Sequence, residues 1–577
     1  MRKATFLAGA IVWLALSPAW AAPPDGLEGT WEGFLNPSPA VEVRLVLRVD
    51  KAGEGGFQAK VEAPEFKAMG TTDFDAVSLK DGAVVLSSKA TGREFRGTLD
   101  PAGAVLSGEW KKGDRPSPLT FARVGGTIPP SEIWEGMLTV NGGIKLRLAF
   151  HVSKGRDGKP RATMDSPDQG AFSLKVDSVA VDKEALKFEI KAIVGGFEGK
   201  VGPAGDRAEG HWKQAGVSFP VTLKKVAEAT EVRRPQLPRP PFPYASEEVA
   251  YDSRAAGVRI AGTITMPPGD GPFPAVLLIT GSGPQDRDET LLGHKPFLVL
   301  ADDLTRRGIV VLRVDDRGVA ASTGDQAGAT SADFAEDVLA GVDFLKGRRG
   351  VDPGRIGLIG HSEGGLIAPM VAARSTDVGF LVLMAGPGTP GDRVLAAQLA
   401  LILKASGADE ATIRRSADSQ ARLMGIVKEN EDPKVAVEKL RAAGVELAAA
   451  LPEAERKALA ASDPNGSQVA RLATPWFRYF LAYDPRPTLA NVRCPVLAIN
   501  GEKDLQVPPG ENLTAIEQAL RSGGNARVTV RELAGLNHLF QPSATGAPSE
   551  YGQIEETFAP VALKVIGEWI VGLPKAP

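Results

Sequence analysis

The stretch RIGLIGHSEGGLIAPMV, from Arg355 to Val371, decides the fold. Its first part, up to Gly360, is an apolar run of the length of a buried strand, and its last part, from Leu366, is compatible with a helix. Between them lies the pattern G-x-S-x-G with Ser362 at its centre. Glycines around a serine let the chain make a tight, strained turn. The stretch therefore predicts a strand, a sharp turn that carries Ser362, and a helix.

Similar apolar runs recur on both sides of this stretch. Their near-continuous apolar content is typical of a parallel sheet covered on both faces. The segment Ser331–Lys346 between two of them has helical spacing and an acidic first turn. This alternation predicts a mostly parallel, doubly wound α/β domain over residues 246–577. The other runs are Pro274–Thr280, Ile309–Val314, Phe380–Met384 and Pro495–Asn500.

About a hundred residues between two of these strands, roughly 390–488, have no strand pattern. They are rich in Ala, Leu, Glu, Lys and Arg, which are strong helix formers. We expect a helical cap over the carboxyl edge of the sheet. Its aromatic segment around Trp476, Phe477 and Tyr479 either lines a substrate pocket or forms the packing face of the cap itself.

The first half of the chain is duplicated. WEGFL at 31–35 returns as WEGML at 134–138, FRG at 95–97 as FEG at 197–199, and GEW at 108–110 as GHW at 210–212. A nearly constant offset over separated motifs indicates a repeat, with copies at 22–125 and 126–228. Alternating apolar residues and frequent turns predict short antiparallel strands in an all-β domain, and barrel and sandwich both remain open.

The proline-rich stretch RRPQLPRPPFP at 233–243 predicts an extended linker, 229–245, between the halves. At the other end of the duplication, Arg2 and Lys3 precede an apolar run that ends near Leu16, followed by Ala19-Trp20-Ala21. This order predicts a signal peptide, residues 1–21, cleaved after Ala21. A membrane anchor is the weaker interpretation, because the run is short for a bilayer.

Composition excludes several classes of function. Lys and Arg (67) nearly balance Asp and Glu (70), which argues against nucleic acid as a partner. No CxxC, HExxH or glycine-rich phosphate loop is present, so no metal or cofactor is expected. Cys494 is the only cysteine and is expected to be a small buried side chain. An exported chain without an internal disulfide suits the bacterial periplasm, or secretion.

A serine hydroxyl needs a base, and the chain has five histidines. His538 is the favoured base, because it follows the strand-like run Arg527–Arg531. His294 is a distant second. The other three are expected to be structural: His361, adjacent to the serine, and His151 and His211 in the duplicated half.

The acid that orients the base should follow a strand between serine and histidine. Asp504 is favoured and Glu502 is its rival. Two backbone N–H groups should hold a developing oxyanion, one from Glu363 and one from Ser282, in the loop after the first buried strand.

Together these motifs resemble the α/β-hydrolase superfamily, and most closely bacterial exported esterases grouped with serine aminopeptidase-like and dienelactone hydrolase-like proteins. The resemblance covers roughly 246–572 and implies the fold, a triad of Ser362, Asp504 and His538, and a cofactor-free acyl-enzyme mechanism. Relatives usually have glycine where Ala320 stands. The motifs are GSGPQDRDE (281–289), DDRGVAASTG (315–324), GHSEGG (360–365), GEKDLQVPP (501–509) and Asn537-His538.

Three functions follow as hypotheses. Cleavage of carboxylic esters is favoured over removal of N-terminal residues from peptides, which needs an acidic group for the free amine. Asp286, Asp288 and Glu363 are candidates for that group, or ordinary loop charges. In the third hypothesis the duplicated half binds an envelope lipid or glycan. The repeated tryptophans would then be ligand platforms, although matched tryptophans more often fill a core.

Overall fold

The computed structural model describes residues 26–53, 56–66, 69–112, 115–125, 131–140, 145–155, 158–182, 184–214, 217–230, 233–449, 451, 456 and 471–574. The predicted signal peptide, 1–21, lies outside the described residues. The chain divides into two compact units, Met1–Pro130 and Ser131–Pro577.

The first half of the chain is built from strands. They are β1 Gly29–Ser38, β2 Val41–Lys51, β3 Phe57–Glu62, β4 Thr72–Phe74, β5 Ala76–Lys80, β6 Ala83–Ser88, β7 Arg93–Leu99, β8 Val105–Lys112, β9 Arg115–Val124, β10 Glu132–Thr139, β11 Lys145–Lys154, β12 Pro160–Ser166, β13 Ala171–Lys175, β14 Ser178–Val181, β15 Ala185–Ile190, β16 Gly195–Val201, β17 Arg207–Gln214 and β18 Val217–Val226.

In the second half strands and helices alternate. The strands are β19 Ala245–Asp252, β20 Arg259–Met266, β21 Phe273–Ile279, β22 Val310–Val314, β23 Val351–His361, β24 Phe380–Met384, β25 Val496–Gly501 and β26 Val528–Leu533. The helices are α1 Pro296–Arg306, α2 Ser331–Lys346, α3 Gly364–Ala372, α4 Gly391–Ala405, α5 Glu410–Glu429, α6 Pro433–Ala449, α7 Pro475–Ala482, α8 Arg486–Leu489, α9 Pro509–Ser522 and α10 Pro560–Val571. Short 3-10 turns cover Pro167–Gln169, Lys191–Ile193 and Pro548–Glu550.

Each copy of the repeat is a meander of antiparallel strands that closes on itself. In the first, β1 pairs with both β2 and β9. In the second, β10 pairs in the same way with β11 and β18. The strands of both copies therefore form closed barrels, and the choice that the sequence left open between barrel and sandwich falls to the barrel.

The repeated tryptophans fill the barrel interiors. Trp31 and Trp110 are 0% and 4% exposed in the first copy, and Trp134 and Trp212 are each 2% exposed in the second. Apolar side chains surround them in each copy. The buried rings are core residues, and they offer no surface on which a ligand could stack.

Glycine pairs explain the other repeated motifs. Gly97 lies opposite Gly108 in the first barrel, and Gly199 opposite Gly210 in the second. A Cβ on Gly210 would lie 2.2 Å from the carbonyl oxygen of Glu198, and one on Gly108 would lie 2.1 Å from that of Arg96. The strands approach too closely at these positions for any side chain.

The second half is organised around one sheet of eight strands in the order β19-β20-β22-β21-β23-β24-β25-β26. The pairs from β22 through β21 to β26 are parallel. The pairs β19–β20 and β20–β22 are antiparallel. Strands β19 and β20 were not predicted from the sequence; five of the eight residues of β19 are exposed, and three of these are charged.

Side chains of β21 alternate between two hydrophobic clusters. Ala275, Leu277 and Ile279 join the cluster that includes buried residues of α2, α3 and α9. Val276 and Leu278 join the cluster that includes residues of α1 and α10. Helices thus cover both faces of the sheet, and burial of the two faces stabilises it.

Helices α4 to α8 occupy the interval between β24 and β25, and we call the span 391–489 the insertion. Part of it has a hydrophobic cluster of its own around Val427, Leu440 and Leu481. Three side chains of α7, Trp476, Tyr479 and Phe480, pack instead against the main core. The insertion is therefore attached to the sheet domain through α7.

The proline-rich segment binds the sheet domain directly. The guanidinium of Arg234 donates to the carbonyl oxygens of Leu292, Gly552 and Ile554 at 2.8–3.0 Å. The carboxamide of Gln236 bonds Phe558 through both its oxygen and its nitrogen. This segment is held in place at several points along its path.

Gly210→Ala should destabilise the second barrel, because the added Cβ would clash with the backbone of β16. Overpacking of this kind costs about 1–3 kcal/mol. Gly202→Ala is the matched control, since its Cβ would make an ordinary contact, 3.5 Å from the carbonyl oxygen of Arg207. Amide hydrogen exchange of β16 and β17 measures the effect locally. Equal protection in both variants would contradict this account of the glycine pair.

Candidate functional site

Ser362 sits on the predicted sharp turn, immediately after β23 and two residues before α3. Its φ is 52°, in the left-handed region that non-glycine residues rarely adopt. Its N–H donates to the carbonyl oxygen of Met384 at 2.8 Å, and its carbonyl accepts from Gly365 at 2.9 Å. The surrounding backbone therefore holds the serine in a strained conformation.

The neighbouring glycines are required by close approach. A Cβ on Gly360 would lie 2.0 Å from the carbonyl oxygen of Gly364, and one on Gly364 would lie 2.2 Å from that of Ile279. A Cβ on Gly365 would lie 2.7 Å from the Cα of Gly386. The glycines of the pattern let strand, turn and helix pack within van der Waals distance of β21 and β24.

Asp504 and His538 lie together in the loops after β25 and β26. His538 Nδ1 is 2.7 Å from Asp504 Oδ2, and both side chains are buried. Asp504 Oδ1 accepts from the N–H groups of Gln506 and Val507 at 2.8 and 2.9 Å. The carboxylate is thus fixed by its own loop and in turn fixes the ring.

Asn537 shapes the loop that carries His538. Its Oδ1 accepts from the N–H groups of Leu539 and Gln541 at 3.0 and 2.9 Å, and its Nδ2 is 3.0 Å from Gln541 Oε1. An asparagine side chain can satisfy a tight loop in this way. The Asn-His pair of the sequence is therefore a local structural unit.

The imidazole keeps Nε2 for another partner, because Nδ1 is bonded to Asp504. Among the hydrogen bonds of the described residues, none joins His538 to the hydroxyl of Ser362. Hydrogen bonds of this kind are often long before substrate binds and tighten in the complex. The structure brings together the candidate acid and the candidate base. It places Ser362 on the turn next to His361, whose ring centroid lies 4.9 Å from that of His538.

Glu502, the rival acid, lies exposed on the same loop. Its Oε2 accepts from the N–H of Gly535 at 2.8 Å. The partner of His538 is Asp504, and Glu502 instead ties the loops after β25 and β26 together.

The N–H groups of Ser282 and Glu363 are available. In the part of the chain that the structure describes, no hydrogen bond uses either group as a donor. The loop of Ser282 approaches the turn closely, because a Cβ built on Gly281 would lie 3.3 Å from the Cβ of Ser362. Two unused donors beside a serine are suited to stabilising negative charge.

The side chain of Glu363 points into the protein and is only 2% exposed. Its Oε1 accepts from Ser331 Oγ at 2.6 Å and from the indole Nε1 of Trp476 at 2.8 Å. Burial raises the pKa of this carboxyl, although hydrogen bonds from Ser331, Trp476 and Ser282 oppose the shift. Helix α7 is therefore bonded to the residue that follows Ser362.

The aromatic residues of α7 have different surroundings. Trp476 stacks on Phe480 with centroids 5.6 Å apart and reaches Glu363. Phe477 packs in the hydrophobic cluster of the insertion. Tyr479 stacks on Tyr483 with centroids 5.5 Å apart. Trp476 alone of the three predicted pocket residues is bonded to the neighbour of Ser362.

The remaining histidines have structural partners or lie elsewhere. His294 is buried against Thr557 and the carbonyl oxygen of Tyr551, at 2.9 Å from each, and burial lowers its pKa to about 4. His151 Nε2 lies 3.1 Å from Asp165 inside the second unit, and His211 is exposed on β17.

Asp286 and Asp288 both stabilise loop structure. Asp286 accepts from the N–H groups of Asp288 and Thr290 at 3.1 and 2.9 Å. Asp288 forms ion pairs with Lys295, at 3.0 Å, and with Arg313. Neither carboxylate is left without a partner.

The backbone conformation at Ala320 explains why relatives have glycine at this position. Ala320 has a φ of 47°, a value that glycine adopts without strain. Arg317 nearby forms a bidentate pair with the buried Asp337 at 2.8 and 2.9 Å. Ala320, the residue at which this chain departs from its relatives, lies in a turn. Arg317 has a structural role.

Two acids beside the site, the buried Glu289 and the half-buried Asp316, were not predicted from the sequence. Glu289 accepts from the N–H of Gly281 and bonds His361. Asp316 bonds Thr280 and the N–H of Gln285, and burial raises its pKa to about 8. Both lie inside motifs that the sequence analysis quoted, but an acid in a loop after a strand gives no sign of being buried.

Comparison with known proteins supplies the relatives. The family of X-Pro dipeptidyl-peptidases (S15 family) matches residues 256–532. Esterase EstD of Thermotoga maritima is 28% identical over 316 residues, which are 54% of this chain. The chain spans 65% of the length of that relative. The chain belongs to the α/β-hydrolase superfamily.

Solved structures of lower similarity are also found. The Pyrococcus furiosus esterase Pf2001 is 16% identical, with a TM-score of 0.37, over 60% of this chain and 98% of the other. Est1E from Butyrivibrio proteoclasticus, solved with ferulic acid bound, is 16% identical with a TM-score of 0.33, over 56% and 98%. At these TM-scores the two likenesses carry no argument.

Two kinds of feature are absent from the described residues. No group of three or more His, Cys, Asp or Glu side chains is arranged to hold a metal ion. No helix there combines the length and apolar character needed to cross a membrane.

Ser362→Gly should stabilise the sheet domain by about 1 kcal/mol, because glycine adopts the left-handed φ without strain. Ser406→Gly is the control, since Ser406 has an ordinary φ of −81°. Scanning calorimetry should show a rise of about 1–2 °C for the first variant only. A fall in the transition temperature for Ser362→Gly would show that the turn is not strained.

Proposed function

We propose that the protein is an exported serine hydrolase that cleaves carboxylic esters. Ser362 is the nucleophile, His538 the base and Asp504 the acid that orients the base. The observation that carries the proposal is the 2.7 Å hydrogen bond between buried His538 and Asp504, in loops at the edge where the strained turn presents Ser362.

The proposed reaction has two halves. Ser362 attacks the ester carbonyl while its proton passes to His538, and Asp504 stabilises the imidazolium that forms. The N–H groups of Ser282 and Glu363 hold the oxyanion. The imidazolium then protonates the leaving alcohol, and an acyl-enzyme remains. Water, deprotonated by His538, releases the acid and restores the serine.

The surroundings of the site complete the proposal. The sheet, covered by helices on both faces, is a doubly wound α/β sheet, and the insertion is a helical cap that contributes Trp476 to the acyl pocket. The bond from Trp476 to Glu363 supports this role. Phe477 packs within the cap, and Tyr479 joins the cap to the core of the sheet domain.

The S15 family match favours one second candidate, an exopeptidase that recognises a free N-terminal amine. Such an enzyme needs a carboxylate that can meet the amine. Asp286 and Asp288 are engaged in their own loop, and Glu363 is buried beneath Trp476 and Ser331. All three candidate acids are thus bonded to other groups and are not placed to bind an amine. This supports an ester as the substrate.

Export is proposed on the sequence alone, through a signal peptide cleaved after Ala21 and a periplasmic or secreted mature chain. We further propose that the β barrels bind an envelope lipid or glycan. Comparing the full chain with a variant lacking residues 22–227, on soluble and on particulate esters, tests it. A selective loss on particulate substrate is the expected result.

Labelling with a fluorophosphonate tests the nucleophile. Wild-type protein should be labelled and Ser362→Ala should not, because the Ser362 hydroxyl oxygen attacks the phosphorus of the probe and displaces fluoride. A panel of aryl esters and aminoacyl amides then measures preference by kcat/KM. Turnover of amides above esters would favour the exopeptidase, and labelling of Ser362→Ala would refute the assignment.

Asp504→Asn should lower kcat by about 10³–10⁴-fold, because the ring loses its correct tautomer and its stabilising charge. Glu502→Gln is the matched control two residues away and should stay within about twofold of wild type, as expected for an exposed loop carboxylate. Initial rates on an aryl ester measure both. Equal losses in the two variants would contradict the assigned acid.

Trp476→Phe should lower kcat/KM about tenfold, since the buried carboxyl beside Ser362 loses a hydrogen-bond donor worth roughly 1.5 kcal/mol. Trp569→Phe also removes an indole N–H, which donates to Thr529 at 3.3 Å away from the site, and should leave the rate unchanged. Ester hydrolysis rates of the two variants give the comparison. Identical rates would place Trp476 outside the site.

A further inference from the structure

One oxygen of Glu289 joins two loops of the candidate site. Oε1 accepts from the N–H of Gly281 at 2.7 Å and lies 2.8 Å from Nδ1 of His361. Gly281 precedes Ser282, whose N–H is a proposed oxyanion donor. His361 precedes Ser362. The buried carboxylate of Glu289 therefore contacts both Gly281, which precedes Ser282, and His361, which precedes Ser362.

His361 extends this contact to the third loop. Its Nε2 is 3.0 Å from the carbonyl oxygen of His538. A carbonyl oxygen can only accept, so Nε2 carries a proton. The other nitrogen faces a carboxylate oxygen that already accepts from Gly281. The simplest assignment is a doubly protonated ring between an ionised Glu289 and the backbone of His538.

The electrostatics agree with this assignment. Burial disfavours the charged ring, but the Coulombic attraction and hydrogen bond of Glu289, together with the carbonyl of His538, raise the pKa of His361 above its usual value. Both side chains are only 5% exposed. Burying two charges is expensive, and such pairs are weak sources of stability. Their value here lies in the geometry that they impose.

Glu289 is itself held in an unfavourable conformation. Its φ is 52°, and its N–H donates to the carbonyl oxygen of Asp286 at 2.9 Å. A turn braced by the Asp286 side chain thus aims the carboxylate inward. Strain at a residue whose side chain reaches His361, 72 positions along the chain, indicates that the side-chain direction matters.

We propose that Glu289 is a positioning residue of the site, holding the backbone of His538 through His361 and the oxyanion loop through Gly281. It touches no substrate. This inference rests on the proposed function and adds a residue that aligns three separate loops. Loss of its charge lets the loops drift, and a misplacement of about 1 Å can reduce a rate about 100-fold.

Glu289→Gln is the test, because it keeps the shape and an acceptor for Gly281 but removes the charge that holds His361. On an aryl ester we expect kcat to fall about 10–100-fold while KM stays within about threefold, as for lost alignment with intact binding. Glu550→Gln is the matched control. Its carboxylate braces another loop, through Thr545 at 2.9 Å, and the variant should keep wild-type kcat.

A Glu289→Gln variant that folds and turns over within twofold of wild type would overturn the inference. Side-chain NMR of protein labelled at its five histidines gives a second readout, independent of folding of the variant. Wild-type protein at neutral pH should show both ring N–H protons of His361. A singly protonated His361 would also overturn the inference.

Ser362→Ala separates this inference from the proposed function. A Ser362→Ala variant that still hydrolyses ester would refute the proposed nucleophile. The NMR readout, recorded on that same variant, reports on Glu289 and His361 without any turnover. An inactive Ser362→Ala with a normal Glu289→Gln would refute the positioning role alone.

Discussion

In a parallel sheet the strands end at one edge, and the loops that follow them meet there. Here one row of paired residues crosses the sheet, from Gly360 on β23 through Leu383 on β24 to Ala498 on β25 and Val530 on β26. The strained serine turn follows the first of these strands. The loops of Asp504 and His538 follow the last two. The register of these strands therefore determines whether the side chains of Asp504, His538 and Ser362 can meet. A shift of register would separate them.

Close packing is the second constraint at this edge. Gly360 and Gly364 lie so near the backbone of neighbouring segments that a methyl group would overlap a carbonyl oxygen. The same physics operates in the barrels, where facing glycines such as Gly199 and Gly210 let two strands approach. In both halves glycine marks backbone contact. At the serine turn that contact fixes the position of Ser362, whereas in the barrels it lets facing strands approach closely.

The sequence predicted what local pattern and chain order encode. The helix Ser331–Lys346 has the expected bounds, and the candidate acid and base lie within hydrogen-bond distance. Barrel closure could not be predicted, because it depends on pairing between β1 and β9, far apart in the chain. Nor could the role of Glu289, which meets His361 across 72 positions of sequence without any periodic signal. Charged loop residues look alike until the fold buries some of them.

The segment around Arg234 changes how the second barrel relates to the sheet domain. A linker rich in proline is usually regarded as a spacer, yet this one is clamped at three carbonyl groups, those of Leu292, Gly552 and Ile554. A segment bound in this way does not act as a free spacer at Arg234. The second barrel is thus tethered to the sheet domain by a shorter stretch of chain than the full length of the proline-rich sequence, because the tether ends where Arg234 is bound.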